Sequence, residues 1–368
     1  MRALDIARPR ADNGEKGGYS MGRITLGATG ITTEQTGFGA LPIQRIAKDE
    51  AVRLLRRAYD GGVTYFDTAR AYSDSEEKLG AAFAGMWDRV FIATKTMAKT
   101  GAELTAELET SLKTLGTDHI DVYQLHNPPF CPRPGGEDGL YDAALEAKKA
   151  GKIRFVSITN HSLAVAREAV DSGLYATLQY PLSYLATDEE VELAQHCMAR
   201  GMGFVAMKGL AGGLLTDSAA ACAWMRAQGS VLPIWGVQRD WELEEFLSYI
   251  EYPPALTPSR EAIIARDRAE LQGEFCRGCG YCMPCPQGIQ IPSCARSALM
   301  LRRAPTSIML SDEGREMMER IKSCVHCGRC SARCPYGLDT PALLQRNLQD
   351  YLDVLAHPEL VGRPLTQK

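Results

Sequence analysis

Eight of the twelve cysteines in the 368-residue chain fall into two short runs towards its carboxyl end. Residues 275–286 read FCRGCGYCMPCP, and residues 324–335 read CVHCGRCSARCP. Three thiolates spaced C-x-x-C-x-x-C allow one loop to reach three iron corners of a cubane cluster. In two-cluster proteins, the more distant cysteine that precedes a proline binds the other cluster. The two runs therefore predict two [4Fe-4S] clusters.

Each predicted cluster takes three cysteines from one run and one cysteine from the other. The first cluster is assigned to Cys276, Cys279, Cys282 and Cys334, and the second to Cys324, Cys327, Cys330 and Cys285. The first run is irregular, because two residues rather than three separate Cys282 from Cys285. The alternative is structural zinc, which prefers two C-x-x-C pairs or pairs completed by histidines. Two triplets that each end in Cys-Pro fit zinc poorly.

A second set of reactive residues lies in the first third of the chain, where β-rich runs end. Asp67 and Tyr72 lie in FDTARAYSDSE, Lys95 ends IATK, and His126 ends YQLH. In a barrel of parallel strands, side chains at successive strand ends meet at one mouth. We therefore expect these four groups to converge.

The convergence would suit carbonyl reduction. Hydride transfer to a carbonyl carbon leaves an oxyanion that needs a proton, and Tyr72 would donate it. A free tyrosine has a pKa of ~10, and the ammonium of Lys95 would lower the pKa of Tyr72. Asp67 would keep Lys95 charged, and His126 would orient the carbonyl oxygen.

The elements that would position these residues alternate regularly between residues 37 and 252. Short β-rich runs lie at 36–41, 63–68, 90–95, 120–126, 153–159, 176–181, 203–208 and 230–236. Amphipathic helical patterns lie between them, at 49–59, 75–83, 105–115, 141–149, 163–172, 188–200 and 219–228. Such alternation predicts a closed (β/α)8 TIM barrel in the α/β class. An open doubly wound sheet is the alternative, and it is weakened because no G-x-G-x-x-G follows an early strand.

Two further features predict how the chain is divided. Segments 23–26 and 31–36 predict a small hairpin that closes the barrel floor. The proline-rich EYPPALTP at 251–258 marks a boundary, and beyond it the patterns are helical, at 259–271, 293–303, 312–321 and 340–355. We expect four parts: a flexible polar extension over 1–20, the barrel over 21–252, a small α-helical ferredoxin-like dicluster domain over 258–356 and a tail over 357–368.

Composition narrows the partners and the location. The net charge is −4 with mixed signs, which does not favour nucleic acid or a membrane surface as a partner. No run approaches the ~18 apolar residues of a membrane span. The N-terminus lacks an apolar signal region, so the scattered cysteines predict free thiols in a reducing cytoplasm.

Over about residues 22–250 the sequence resembles the aldo-keto reductases. The resemblance lies in GVTYFDTARAYSDSEEKLG, ATK, DVYQLH and IRFVSITN. The whole chain resembles an anaerobe-associated subfamily with a C-terminal dicluster ferredoxin domain. The resemblance implies a tetrad of Asp67, Tyr72, Lys95 and His126, a small organic substrate and an NADP(H) cofactor. By family position, Ser157 and Asn160 would contact the nicotinamide carboxamide, with Gln179 beside them. Residues 209–214, among them Gly209, Leu210 and Gly212, would pass the pyrophosphate, and Lys208 just before them is a further implied contact. Gln238 and Arg239 lie in the segment 235–246 that would bind the adenosine end.

The chain departs from the family pattern where the dinucleotide would bind. Met207 stands where a tyrosine usually stacks on the nicotinamide. Gln238 and Arg239 replace the usual basic residues near the 2′-phosphate, and Phe246 replaces a common asparagine. The implied tetrad is intact, whereas the implied dinucleotide grip is atypical.

Three hypotheses follow for the function. The first is an NADP(H)-linked carbonyl reductase or alcohol dehydrogenase whose clusters are auxiliary. The second is a single-electron reductase that takes electrons from a ferredoxin or another electron-transfer partner and uses the barrel mouth without NADPH. The third is a redox-sensing binding protein with a vestigial barrel, against which the complete tetrad argues.

Overall fold

The computed structural model describes residues 22–271, 275–303 and 309–361. The predicted extension over 1–20 and residues 362–368 of the predicted tail lie outside these ranges. The chain divides into two compact units. Among the described residues, the barrel unit comprises those up to Leu182 with Ala186–Gly209 and Cys222–Ala255. The cysteine unit comprises Ser183–Leu185, Leu210–Ala221 and the described residues from Leu256 onwards.

The barrel unit begins with the predicted hairpin, formed by the antiparallel strands β1 (Arg23–Thr25) and β2 (Thr32–Glu34). Gly27, in the turn, has a φ of +50°, and a Cβ there would lie 2.4 Å from the carbonyl oxygen of Gly201. Leu26 and Ile31 flank the turn and are fully buried in the apolar core of the barrel. The hairpin therefore plugs one end of the barrel, as predicted.

Eight parallel strands form the closed barrel, which confirms the predicted fold. They are β3 (Gly37–Gly39), β4 (Tyr65–Asp67), β5 (Phe91–Thr96), β6 (Ile120–His126), β7 (Ile153–Thr159), β8 (Thr177–Pro181), β9 (Gly203–Met207) and β10 (Val231–Gly236). They pair in chain order, and β10 closes the ring against β3. The open-sheet alternative is therefore wrong.

Helices follow the strands from β3 onwards. They are α1 (Lys48–Asp60), α2 (Ser75–Phe83), α3 (Gly101–Leu115), α4 (Leu140–Lys149), α5 (Leu163–Ser172), α6 (Asp188–Ala199), α7 (Ser218–Arg226) and α8 (Asp240–Glu251). Local signals define several ends: Thr187 and Glu190 form a capping box at the start of α6, and Gly116 ends α3 with a φ of +71°. Such caps satisfy backbone groups that the helix itself leaves unpaired.

The alternation of side chains along the strands explains where the polar groups lie. Every second residue of a strand faces the same side. On β4, β5 and β6, the residues Tyr65, Ala93 and Val122 face the interior and pack in the apolar core. Two residues further along, the same face carries Asp67, Lys95 and Gln124. The barrel thus places a polar layer directly above an apolar one.

The cysteine unit is helical among its described residues. Its helices are α9 (Pro258–Glu270), α10 (Ile291–Cys294), α11 (Ser297–Arg303), α12 (Asp312–Glu319), α13 (Arg329–Ala332) and α14 (Thr340–Ala356). Helix α14 supplies much of the core through Leu344, Tyr351 and Val354, all at most 1% exposed. A bidentate pair between Arg302 and Asp350, at 2.7 and 2.6 Å, joins α11 to α14.

Candidate functional site

A buried ion pair lies at the centre of the polar layer. Lys95 Nζ donates to Asp67 Oδ1 at 2.6 Å and to the carbonyl oxygen of Thr68 at 2.6 Å. Gln124 Nε2 donates to Asp67 Oδ2 at 3.1 Å, and Gln179 Nε2 approaches Oδ1 at 3.4 Å. The side chains of Lys95 and Asp67 are only 1% and 3% exposed. The carboxylate is therefore held by an ammonium and two amides from three different strands, β5, β6 and β8.

Burial governs the titration of both partners. It raises the pKa of Asp67 above its usual value, although Lys95 and the two amides oppose the rise. It lowers the pKa of Lys95, although Asp67 and Glu76 oppose that fall. Both directions are those expected of charged groups removed from water.

Tyr72 and His126 lie beside this pair. Their ring centroids are 6.0 Å apart with the planes at 83°, and Lys95 Nζ lies 5.2 Å from the centroid of the Tyr72 ring. Tyr72 sits in the turn after β4, where its N–H donates to the carbonyl oxygen of Ala69 and its own carbonyl accepts from Ser75. The fold therefore brings together the four side chains that the sequence predicted to converge.

The electrostatics of Tyr72 differ from the prediction. Burial raises the pKa of Tyr72 well above its usual value, and the negative charge of Asp67 raises it further. The prediction that the pKa of Tyr72 is lowered is therefore wrong, because burial and the charge of Asp67 raise it, although Lys95 Nζ lies 5.2 Å from the ring centroid. Burial and the charge of Lys95 lower the pKa of His126 to about 3, so its imidazole is neutral near pH 7.

The residues predicted to contact the nicotinamide lie on β7 and β8 or just after them. Ser157 Oγ and Gln179 Oε1 are buried, and neither has a hydrogen-bond partner among the described residues. Asn160 is already engaged, because its Nδ2 donates to the carbonyl oxygen of Pro128 at 2.8 Å and its Oδ1 accepts from the N–H of Ser162 at 2.7 Å. Unpaired buried atoms require an explanation, and a carboxamide would satisfy both Ser157 and Gln179.

The strand register reveals two residues that the sequence reasoning missed. Thr159, the last residue of β7, pairs in register with His126 on β6 and with Gln179 on β8, so it lies at the level of the predicted site. Gln124 contacts Asp67 directly. The available signal was the period-two pattern, since each lies two residues from a predicted site residue on the same strand.

The predicted phosphate loop is divided between the two units. Lys208 and Gly209 end the barrel segment, and Lys208 has a φ of +60°. A Cβ on Gly209 would lie 2.5 Å from the ring of Trp235, so only glycine fits there. Leu210 and Gly212 belong to the cysteine unit. Their predicted contact with a pyrophosphate stays a prediction from the resemblance.

At the predicted adenosine end, the charged group is already paired. Arg239 donates to Glu242 Oε1 at 3.1 Å, and the backbone N–H of Arg239 donates to Glu242 Oε2 at 3.0 Å. Gln238 Oε1 is buried and has no hydrogen-bond partner within the described ranges. Nearby, Trp235 and Phe246 stack at 4.6 Å with their planes at 15°. The residues of this segment therefore lie together, and the positive charge of Arg239 is partly neutralised by Glu242.

The cysteine unit presents its thiols to two cavities. All twelve cysteines are free. The first cavity is lined by, among others, Cys276, Cys279, Cys282 and Cys334. The second is lined by, among others, Cys282, Cys285, Cys324, Cys327 and Cys330. Each cavity thus contains all four members of one predicted cluster set, and Cys282 borders both.

A single metal ion is a poorer match than a cluster for these thiols. Within the described residues, no three or more His, Cys, Asp or Glu side chains converge as the ligands of one ion would. Four thiolates around one zinc must approach it at about 2.3 Å each. Thiols spread around a cavity suit a larger group.

Comparison with known proteins agrees with both halves of the chain. The model of the aldo/keto reductase family matches residues 23–228. The chain belongs to the aldo/keto reductase family. A model of the 4Fe-4S dicluster domain matches residues 275–339. The cysteine runs thus match an iron–sulfur domain, which speaks against the structural-zinc alternative.

Curated relatives resemble the barrel half. L-galactose dehydrogenase of Arabidopsis thaliana is 29% identical over 215 residues, which is 52% of this chain and 66% of that protein. The aldo-keto reductase YhdN of Bacillus subtilis is 30% identical over 212 residues, 52% of this chain and 63% of that protein. The chain thus spans just under two thirds of the length of these relatives.

Solved structures share the fold. An aldo-keto reductase from Klebsiella pneumoniae in complex with NADPH is 24% identical with a TM-score of 0.58, and covers 67% of this chain and 95% of its own. The aldo-keto reductase AKR11C1 from Bacillus halodurans, in its holo form, is 21% identical with a TM-score of 0.59, and covers 67% of this chain and 96% of its own.

None of the helices in the described ranges is long and apolar enough to cross a membrane.

Proposed function

We propose that the protein reduces the carbonyl group of a small organic substrate, and oxidises the corresponding alcohol, with NADP(H) as the hydride carrier. The observation that supports this proposal is the meeting of Asp67, Tyr72, Lys95 and His126 at one mouth of the barrel. When bound, NADPH supplies a hydride, which is two electrons and a proton. Tyr72 supplies the second proton, to the oxygen of the substrate, and the alcohol is the product.

The raised pKa of Tyr72 suits it to the reductive direction. A phenol that holds its proton throughout the physiological range is in the acid form that reduction requires, whereas the base form needed for oxidation is scarce. The neutral imidazole of His126 can donate a hydrogen bond to a carbonyl oxygen without adding a charge. Lys95, held by Asp67, places a positive end near the phenol and favours the negative charge that develops when the proton leaves.

The structural support for dinucleotide binding is stronger at the nicotinamide end than at the adenosine end. At the nicotinamide end, the unpaired Ser157 Oγ and Gln179 Oε1 fit a carboxamide, which has one donor group and one acceptor. At the adenosine end, Nη1 of the exposed Arg239 is already paired with Glu242, which leaves its other N–H groups for a 2′-phosphate. Asn160, Lys208, Gly209 and Gln238 are proposed as further contacts from the resemblance alone.

We assign two [4Fe-4S] clusters to the two cavities of the cysteine unit. The ligand sets are those predicted, three cysteines from one run and one from the other. The support is that each cavity has all four members of its set in its lining. Replacing Cys334 with alanine should then remove the cluster of the first run, and replacing Cys285 should remove the cluster of the second.

A ferredoxin-linked single-electron reductase is the second candidate function. The observation that favours it is the atypical adenosine end, where Arg239 is paired with Glu242 and Trp235 stacks on Phe246. In this case the barrel mouth would serve a substrate that is reduced one electron at a time, and the partner would be a small electron-transfer protein.

The first experiment is an anaerobic preparation with an iron count, an absorption spectrum and an EPR spectrum. About eight irons per chain are expected for two cubanes. With Cys285→Ala and Cys334→Ala, each variant should lose about half of the iron and a different EPR signal. Cys294→Ala is the matched control, because Cys294 lies in the same unit and outside both cavity linings. Two zincs and no colour would overturn the cluster assignment.

The second experiment measures NADPH oxidation with a panel of small aldehydes and ketones. Tyr72→Phe should lower kcat by about 10²–10⁴-fold, the usual contribution of a general acid. Tyr252→Phe is the control, because Tyr252 is 72% exposed. Turnover that requires reduced ferredoxin and ignores NADPH would reject the first function in favour of the second. Full activity of Tyr72→Phe would reject the tetrad as the site.

A further inference from the structure

Arg296 lies in the cysteine unit, between α10 and α11, and its side chain contacts a segment of the same unit that is distant in sequence. Its Nη2 donates to the carbonyl oxygen of Gly212 at 2.5 Å and approaches that of Ala211 at 3.4 Å. Both acceptors belong to Leu210–Ala221, the segment that groups with the cysteine helices. One guanidinium therefore fixes two neighbouring carbonyls of a loop 84 residues away in sequence.

The other side of the guanidinium touches the first cysteine run. A Cβ on Gly278 would lie 2.9 Å from Arg296 Nη1, and Gly278 already has a φ of +65°. The N–H of Gly278 donates to Cys276 Sγ at 3.4 Å, and Cys276 and Arg296 are close enough for a charge–charge interaction. Arg296 is thus packed against the loop that carries Cys276 and Cys279.

The hydrogen bonding of Arg296 is incomplete. Its Nε is buried and has no partner among the described residues. No carboxylate in the described ranges pairs with it, although Arg302, six residues on, has Asp350. A partly buried guanidinium without an anion is costly. A cluster held by four thiolates is anionic and accepts hydrogen bonds at its sulfurs, so it would supply the missing partner.

The loop that Arg296 contacts, residues 211–213, has a strained backbone. Ala211 has a φ of +48°, a value that residues with a Cβ rarely adopt, and Gly212 and Gly213 follow with φ of +68° and +91°. The N–H groups of Gly213 and Leu215 both donate to the carbonyl oxygen of Leu210. Strained backbone persists only where the surrounding structure stabilises it. The hydrogen bond from Arg296 to the carbonyl oxygen of Gly212 contributes to this stabilisation.

We propose that Arg296 is a positioning residue that links the charge of the first-run cluster to the conformation of residues 211–213. The proposal rests on the proposed ligation by Cys276, Cys279, Cys282 and Cys334. One-electron reduction by an external donor adds one negative charge and transfers no proton to Arg296. The added charge draws the guanidinium towards Cys276 and weakens its bond to Gly212. By linkage, the loop and the cluster then influence each other equally.

The first test is an EPR-monitored redox titration of the iron-loaded protein. Arg296→Gln should make one cluster about tenfold harder to reduce at a given potential, which is about 59 mV for a one-electron couple. Arg296→Lys keeps the charge and should change the midpoint potential less. Arg333→Gln is the matched control. Arg333 neighbours Cys334 but is exposed, so water should screen its charge, and the reduction equilibrium should stay within about twofold of wild type, which is about 18 mV.

The second test is hydrogen–deuterium exchange of peptides spanning 210–221, in oxidised and in dithionite-reduced protein. In the wild type, Gly213 and Leu215 should exchange faster after reduction. In Arg296→Gln and Arg296→Lys the exchange should be fast in both states. Equal exchange in the two states of the wild type would overturn the linkage, as would an unshifted potential in Arg296→Gln.

The outcomes separate this inference from the proposed function. Wild-type protein without about eight irons would reject the cluster assignment itself. Full iron, normal EPR signals and carbonyl reduction, with no redox effect on residues 210–221, would reject only the role of Arg296. If Arg296→Gln fails to retain iron, the exchange measured for wild type and Arg296→Lys still decides.

Discussion

At the barrel mouth the reactive groups are held by one another, whereas in the cysteine unit they surround cavities. Asp67 meets Lys95 and two amides, and every one of these contacts comes from the folded chain. The cysteines instead line two cavities. The first region is preorganised by strand register. The second supplies the thiols for the clusters proposed above.

The contrast indicates which part of the protein depends on cofactor assembly. A closed barrel of eight strands buries a large apolar core, so the mouth keeps its geometry without help. The cysteine unit is small, and metal binding is commonly coupled to folding in such units. Stability of the two regions should therefore respond to different perturbations.

The largest expected effect is that of iron removal. Anaerobic chelation should abolish the unfolding transition of the cysteine unit, because its loops lose the group that holds them. The barrel transition should persist in the same calorimetric scan, where it serves as the internal control. Loss of both transitions together would show that the two regions are not independent and would break the comparison.

The next effect concerns the buried pair. Lys95→Met should destabilise the barrel by about 3–5 kcal/mol, because it leaves the carboxylate of Asp67 buried without its ammonium. Urea unfolding, followed by the near-ultraviolet signal of the barrel, measures the change. The double variant Asp67→Asn with Lys95→Met should recover most of the loss. A cost below about 1 kcal/mol for the single variant would mean that the mouth is more hydrated than its burial indicates.

A smaller effect should appear on acidification. The folded pKa of His126 is lowered to about 3, against about 6.5 in the unfolded chain. Between these values the unfolded chain binds a proton that the folded chain does not, so stability falls as the pH falls. The loss from this group should reach about 2 kcal/mol at pH 5. Urea unfolding of wild type and His126→Gln at pH 5 and pH 8 isolates it.

The control for that measurement is His196→Gln, since His196 is a surface histidine paired with Asp171. This variant should keep the wild-type pH dependence. If His126→Gln loses as much stability on acidification as the wild type, then the imidazole is not held neutral.

The smallest effect is expected at Gln124. Gln124→Met keeps the volume and removes the donor to Asp67 Oδ2, which should cost about 1 kcal/mol. The same replacement removes Oε1, which is buried and unpaired among the described residues, and this limits the loss. Urea unfolding measures the change, with Gln179→Met as the comparison because its bond to Asp67 is longer. If Gln179→Met lost more stability than Gln124→Met, then Gln179 rather than Gln124 would make the stronger hydrogen bond to Asp67.

Much of the site followed from local patterns. The spacing of the cysteine runs predicted iron–sulfur ligation because one loop must wrap one cluster, and the dicluster match agrees. The strand ends predicted the convergence of Asp67, Lys95 and His126, because parallel strands in a barrel share one mouth. Gln124 was missed, since a glutamine inside a β-rich run carries no sign of which distant carboxylate it will meet.

The sequence was sufficient for properties that depend on near neighbours: the alternation of strands and helices, the hairpin turn at Gly27 and the ligand spacing in each cysteine run. It was insufficient for those that depend on burial and on charges from remote segments. The pKa of Tyr72 rises rather than falls because folding buries the phenol and places the negative charge of Asp67 near it. The contact of Arg296 with Gly212 joins residues 84 positions apart, and no local pattern encodes such a distance.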